Sequence, residues 1–388
     1  MNRRNTNDHR NRSRYRRQLF LEQLEDRRLL AAVVTVELIE PPDLVFSNEP
    51  VDIHARIKFE GDDEDGPWTV TDFRLYDQDL GLLDLDDVIA SKTNEEAINI
   101  VEQGKWVNYT FSNVLFNQLL FEDIDEAVEL YAWARVDDND LIPVFNPVGA
   151  SAVHQVFVAT PNAGGVKYTG MALGSLWRSE EVSIRRVDSA ATDSPAKPID
   201  KDETTTWVLV HGFNSSPDKA FSRVGVDLVE WFKEKRSGDQ VLEIDWSKPA
   251  GKSLDSAESF IEPVAQWTSS VLRKLGFASS TLNFIGHSFG SYVATETSKR
   301  LIGDVQSIVA LDPAENVPFV PSLLTFGAVY NPNDSADFAS DSSYSWAFYS
   351  SARELYPCVK YNCGNEETPT TADEAFVING SSHSGVVD

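Results

Sequence analysis

Cysteine is nearly missing from this chain, with two in 388 residues, both in CVKYNC. That excludes a disulfide-dense scaffold and a four-cysteine zinc site. Cys358 and Cys363 are near enough in sequence to close one small disulfide loop, or they stand as reduced structural residues. Histidine is scarce too, at six. None sits at metal-ligand spacing, so no metal and no organic cofactor are expected. Positive charge is short: 34 Lys and Arg face 61 Asp and Glu, a formal net charge of -27. Phosphate binding needs concentrated positive charge, so no nucleic-acid partner is expected. No apolar run approaches the roughly 20 residues of a membrane-spanning helix. What is present is an acidic chain with enough aliphatic and aromatic residues to fold, and enough length for two domains.

The positive charge is bunched at the start. MNRRNTNDHRNRSRYRRQ holds seven arginines, a basic arm or the flank of a targeting segment. The apolar run after it is short and broken by charge. Residues 1–32 are therefore set apart from the folded chain.

From 33 to 158 the rhythm has period two. VDIHARIKF places Val51, Ile53, Ala55, Ile57 and Phe59 on one face. AVELYAWARV does the same with Val128, Leu130, Ala132, Ala134 and Val136. Polar turn signals such as EGDDEDGPW separate the runs, which predicts a small all-β sandwich-like domain. Its acidic clusters, DDEDG and DDNDL, read as solvated turns. Residues 159–204 are turn-rich and read as a linker or domain edge. From 205 to 388 short apolar strands (TTWVLV, QVLEIDW, TLNFI, VQSIVALD) alternate with longer helical stretches. That order predicts an α/β domain, a mostly parallel sheet covered by helices.

GHSFG lies between a strand and a helix in this second half, the setting of a nucleophile elbow. Ser288 is the nucleophile candidate. Gly286 and Gly290 remove side chains where a strained turn crowds the strand and the helix. A serine hydroxyl needs a base. His9, His54 and His154 lie in the basic arm and the β half. His287 adjoins the serine and should point away. His211, followed by Gly212 in HGF, suits a structural role in the turn that shapes an oxyanion hole. Elimination leaves His383, after the short strand AFVI. Asp312, at the end of SIVALD, is the first choice for the acid, with Asp334 and Asp337 behind it. The oxyanion donors are expected to be the backbone amides of Phe289 and Phe213.

HGF, GHSFG and LDPAE together resemble the pancreatic-type lipase family of α/β-hydrolases, as does IDWS at Ile244–Ser247. The resemblance implies Ser288 as nucleophile, Asp312 as acid and Phe213 as an oxyanion amide. It also implies a lipase or esterase working on ester or lipid substrates. LEQLEDRRLLAA, Leu21–Ala32, resembles an N-terminal segment of exported planctomycete proteins, which implies an extracellular, periplasmic or cell-surface location. The β half would then contact a cell surface or a lipid interface. FVPSLLTF and SWAFYSS would line an acyl pocket, form a cap or belong to the core. The competing readings are a thioesterase or peptidase with the same triad, and a non-catalytic extracellular binding or scaffold protein.

Overall fold

The computed structural model describes residues 33–60, 68–77, 87–92, 98–100, 102–116, 128–137, 148–174, 179–188, 197–203, 205–223, 226–314, 330–331, 335–350 and 367–378. In the first half, β1 (Val33–Ile39), β3 (Val51–Glu60) and β7 (Val107–Val114) form one antiparallel sheet in the order β1-β3-β7. β4 (Trp68–Asp77), β5 (Asp87–Ser91), β6 (Ile98–Ile100), β8 (Val128–Asp137) and β9 (Val148–Ala150) pair around the β4–β8 ladder. Alternation decides which face is buried. Ile53, Ala55, Ile57 and Phe59 of β3 point inward, as do Val128, Leu130, Ala132, Ala134 and Val136 of β8. The two inner faces share one apolar core, in which Phe73 meets Phe111 edge-on at 5.1 Å. This is the expected sandwich-like arrangement.

β10 (His154–Pro161) carries the sheet onward. It pairs with β8, with the short parallel β2 (Leu44–Phe46) and with β11 (Lys167–Leu173). β11 and β12 (Ser179–Arg186) are antiparallel, and β12 docks antiparallel on β16 (Gln240–Asp245). The stretch 159–204, turn-rich in sequence, therefore contributes two strands to the sheet.

The second half is an α/β sheet in the order β12-β16-β13-β17-β18-β19-β20. Its members are β13 (Thr206–Val210), β17 (Leu282–His287), β18 (Ser307–Leu311), β19 (Ser345–Ser350) and β20 (Glu374–Ile378). From β16 onward every pairing is parallel. The helices are α1 (Pro217–Ala220), α2 (Leu228–Lys235), α3 (Ser247–Ala250), α4 (Leu254–Ser259), α5 (Ile261–Leu275) and α6 (Phe289–Lys299). Two stretches that read as single helices are divided. PDKAFSRVGVDLVEWFKEKR is broken by the hairpin of β14 (Ser222–Arg223) and β15 (Val226–Asp227). The chain re-enters helix at Asp227, whose side chain caps α2 by accepting the Glu230 N–H at 3.0 Å. The stretch around SAESFIEP is interrupted at Phe260, which ends α4 and precedes α5. SWAFYS forms β19 and so belongs to the sheet, while FVPSLLTF lies outside the described residues.

Helices cover both faces. Val229 and Phe232 of α2 pack with Leu209, Val241 and Ile285 on one side. Val264, Trp267 and Val271 of α5 and Val293 of α6 pack with Val208, Phe284 and Ile308 on the other. β13 and β17 are neighbours whose following helices, α2 and α6, lie on opposite faces. That is a topological switch point, and the crevice outside the carboxyl ends of such strands is where open α/β sheets hold ligands.

Candidate active site

Ser288 follows the last residue of β17. The β17–β18 register pairs His287 with Leu311, so Ser288 and Asp312 are the next residues along adjacent parallel strands, past one sheet edge. Ser288 has φ 54° and ψ -126°, a backbone conformation that costs a non-glycine residue on the order of 1–3 kcal/mol. Its surroundings hold it there. The Ser288 N–H donates to Leu311 O at 3.0 Å, and α6 begins at once, with the Ser291 N–H donating back to Ser288 O at 3.1 Å. Gly290 lies against the end of β13, where a Cβ would come within 2.1 Å of Val210 O. A Cβ on Gly286 would meet Ser291 Cα at 2.4 Å. The HGF loop crosses directly over the turn, since a Cβ on Gly212 would be 2.7 Å from Ser288 Cβ.

Asp312 is fully buried and also has positive φ, 45°. Its N–H donates to Phe348 O at 2.6 Å, and its Oδ1 accepts the Ser350 N–H at 2.9 Å. β19 thus fixes the carboxylate from the far side. Tyr292 of α6 anchors the chain beyond it by donating its hydroxyl to Ala314 O.

Phe289 opens α6, and its amide is among the first-turn N–H groups that have no acceptor within the helix. Phe213 sits in the loop after β13, its ring 6.3 Å from that of Phe289. His211 is fully buried beneath this loop. Its Nδ1 lies 3.0 Å from Gly212 O, and its Nε2 lies 3.2 Å from the Trp246 N. The Trp246 indole N–H donates to His211 O at 2.7 Å, and the two rings stack at 5.7 Å. The chain then turns at Asn214, φ 50°, whose N–H donates to Ala250 O at 2.8 Å.

The electrostatics beside this loop are acidic. Asp245, whose Oδ1 accepts the Ser247 N–H at 3.0 Å, stands 3.6 Å from His211 Nε2. Burial pushes Glu243 up, and Arg185, at 2.9 Å, opposes that rise.

The structure brings Ser288, Asp312, Phe213, Phe289, His211, Gly212, Gly286 and Gly290 to one edge of the sheet. His383, Cys358 and Cys363 lie outside the described residues, as does the N-terminal segment. His54 stays on the sandwich, 2.9 Å from Thr110 Oγ1, and His154 is 3.8 Å from Asp43. Asp337 is exposed and accepts the Ser340 N–H. Two contributors were missed in the sequence, Trp246 and Ser350. Trp246 is the tryptophan of IDWS, the residue just past the strand, where the motif by itself carries only a family likeness. Ser350 acts through its backbone, which no residue type announces. Among the described residues, no cluster of His, Cys, Asp or Glu is arranged to hold a metal ion, and no helix is long and apolar enough to cross a membrane.

A mostly parallel sheet, helices on both faces and a serine elbow at the switch point define the α/β-hydrolase fold. Within it, residues 179–320 match the lipase family model, and the likeness is to pancreatic-type lipases. A pancreatic triacylglycerol lipase of Myocastor coypus is 42% identical over 144 residues, covering 36% of this chain and 31% of that protein. Another, of Ictidomys tridecemlineatus, is 26% identical over 154 residues, 34% of this chain and 32% of that protein. The chain thus spans about a third of the length of these curated relatives. A solved esterase of Pyrobaculum calidifontis aligns at 16% identity with a TM-score of 0.32, covering 55% of this chain and 76% of that one. Residues 15–34 match a model described as planctomycete extracellular.

Proposed function

We propose that this protein is an exported serine hydrolase of neutral carboxylic esters, acylglycerols or related esters, working through Ser288, His383 and Asp312. The observation that carries the reading is Ser288 held at positive φ at the switch point, with buried Asp312 one strand away. β20 runs parallel to β19, so its carboxyl end faces the same edge, and His383 follows that end by five residues in sequence. In the reaction, the Ser288 oxygen attacks the ester carbonyl while His383 takes its proton. The Phe213 and Phe289 amides hold the oxyanion, each worth about 3 kcal/mol in the transition state. The alcohol leaves with the proton from His383. Water, deprotonated by the same histidine, releases the acid and restores the serine. Asp312 orients the imidazole and stabilises its charged form.

The formal charge of -27 favours neutral esters over anionic phospholipids. The lipase family match supports an ester as substrate, and the N-terminal match supports export. The sandwich-like half, 33–158, is assigned the contact with a cell surface or lipid interface, and 205–388 the chemistry.

The test is hydrolysis of p-nitrophenyl butyrate and palmitate by wild type, Ser288→Ala and His383→Ala. Loss of 10³-fold or more in both variants is expected. Full activity in His383→Ala would place the base elsewhere. An inert wild type on every ester tried would return the chain to the binding-protein class.

A further inference from the structure

The oxyanion role given to Phe213 depends on the direction of a single N–H, and that direction has a visible cause. An amide N–H belongs to the same planar trans unit as the preceding carbonyl, and the two point opposite ways. The carbonyl preceding the Phe213 N–H is that of Gly212. His211 Nδ1 lies 3.0 Å from this Gly212 oxygen in a fully buried site. The imidazole is itself clamped. Its Nε2 accepts the Trp246 N–H at 3.2 Å and stands 3.6 Å from Asp245 Oδ1, beyond hydrogen-bond reach, which leaves the ring proton on Nδ1 to be donated to Gly212 O. The Trp246 ring stacks on it, and the Trp246 indole N–H ties down the His211 carbonyl. Gly212 supplies no side chain to hold its own peptide and cannot carry one, because Ser288 Cβ occupies the space.

We infer that His211 is a positioning residue that aims the Phe213 N–H, by holding the Gly212 carbonyl of the same peptide unit. The inference rests on the proposed oxyanion role of Phe213 for its effect on catalysis, but not for its effect on the peptide. Donation to the carbonyl also polarises the unit and strengthens its N–H as a donor. Trp246, just past β16, thereby couples that strand's end to the loop after β13.

The experiment compares His211→Asn, whose side-chain amide can occupy the Nδ1 position as a donor, with His211→Gln and His211→Leu, which cannot donate from there. Crystal structures of each and of wild type read the Gly212–Phe213 plane directly. Kinetics on p-nitrophenyl butyrate read its consequence. In Gln and Leu the plane is expected to rotate, and kcat to fall 10- to 100-fold with KM within about twofold. In Asn the plane stays and kcat recovers to within about fivefold of wild type. An unrotated plane in Gln or Leu overturns the inference, whether or not the wild type hydrolyses esters. If Leu fails to fold, the Asn and Gln pair decides alone. A rotated plane with unchanged kcat would keep the tether and remove Phe213 from the oxyanion hole.

Discussion

Ser288 can keep its strained backbone only because its neighbours leave no alternative, and the sharpest of these constraints falls on glycines. A methyl on Gly290 would sit 2.1 Å from Val210 O and 2.6 Å from His211 O. Both are backbone atoms of a central strand and its loop, so neither can yield without moving β13. Gly290→Ala is expected to cost more than the 1–3 kcal/mol of ordinary overpacking, seen as a melting temperature at least 10 °C lower or as insoluble protein. Gly238, in the turn before β16, has nothing within 4 Å of its Cβ direction. Gly238→Ala should stay within about 0.5 kcal/mol of wild type, and equal losses in the two variants would discredit the packing argument. A second residue reports on pH. Burial pushes the Asp341 carboxyl up to about 6, helped by Asp337 and Glu296 and opposed by Lys299, 3.9 Å away. A folded-state value above the unfolded one means that the protonated form stabilises the fold below about pH 4. That contribution is lost as pH rises through 6. Asp341→Asn should therefore melt higher than wild type at pH 7.5, by an amount on the order of 1–2 kcal/mol, with the gap closing toward pH 5. Melting curves at the two pH values check it, and a gap independent of pH would rule out titration as the cause.

At the scale of elements, the strands were legible because their apolar residues alternate or run uninterrupted, and because the half buried on both faces follows a strand–helix order. The breaks inside helices were not. The run from Pro217 to Arg236 keeps helical spacing, yet Asp227 supplies a cap in its middle and the chain takes a hairpin before it. A cap is a local signal that can be read only when the segment before it is known not to be helical. Asp227→Ala should cost about 1 kcal/mol and loosen α2, the cover over Leu209 and Ile285. Chemical denaturation measures the loss, and no change in the midpoint would show that packing alone sets the start of α2. β11 and β12 lie in the stretch whose turn-rich composition reads as a linker or domain edge. Their strand character comes from partners, β10 on one side and β16 on the other, which sequence pattern does not reveal. At the site, the motifs gave Ser288, Asp312 and the loop glycines from residue type alone. Ser350 contributes a backbone N–H, which any residue type offers, while Trp246 contributes its ring and indole N–H to a histidine 35 residues away, a pairing that only the fold brings together.

At the scale of the whole molecule, the two cores share a wall. β2 has three residues, all buried: Leu44 and Phe46 enter the core of the α/β half, while Val45 enters the sandwich core. β10 does the same, sending Phe157 and Ala159 to one side and Val156 and Val158 to the other. The boundary drawn at residue 158 passes through this strand. Phe46 reaches furthest across, its ring 5.1 Å from Tyr168 and 5.6 Å from Lys274 Nζ, while Asp43 meets Arg273 at 3.1 Å. Neither half can lose this wall without exposing apolar surface of the other, so unfolding should be a single cooperative transition despite the length of the chain. Phe46→Ala should cost about 3–5 kcal/mol and move that transition down by roughly 5–10 °C without splitting it. Calorimetry of wild type and variant decides the matter. Two resolved transitions in the wild type would mean that the halves fold independently. A single transition that splits only in Phe46→Ala would place the coupling in that one ring, and a single lowered transition would spread it over the whole β2–β10 wall.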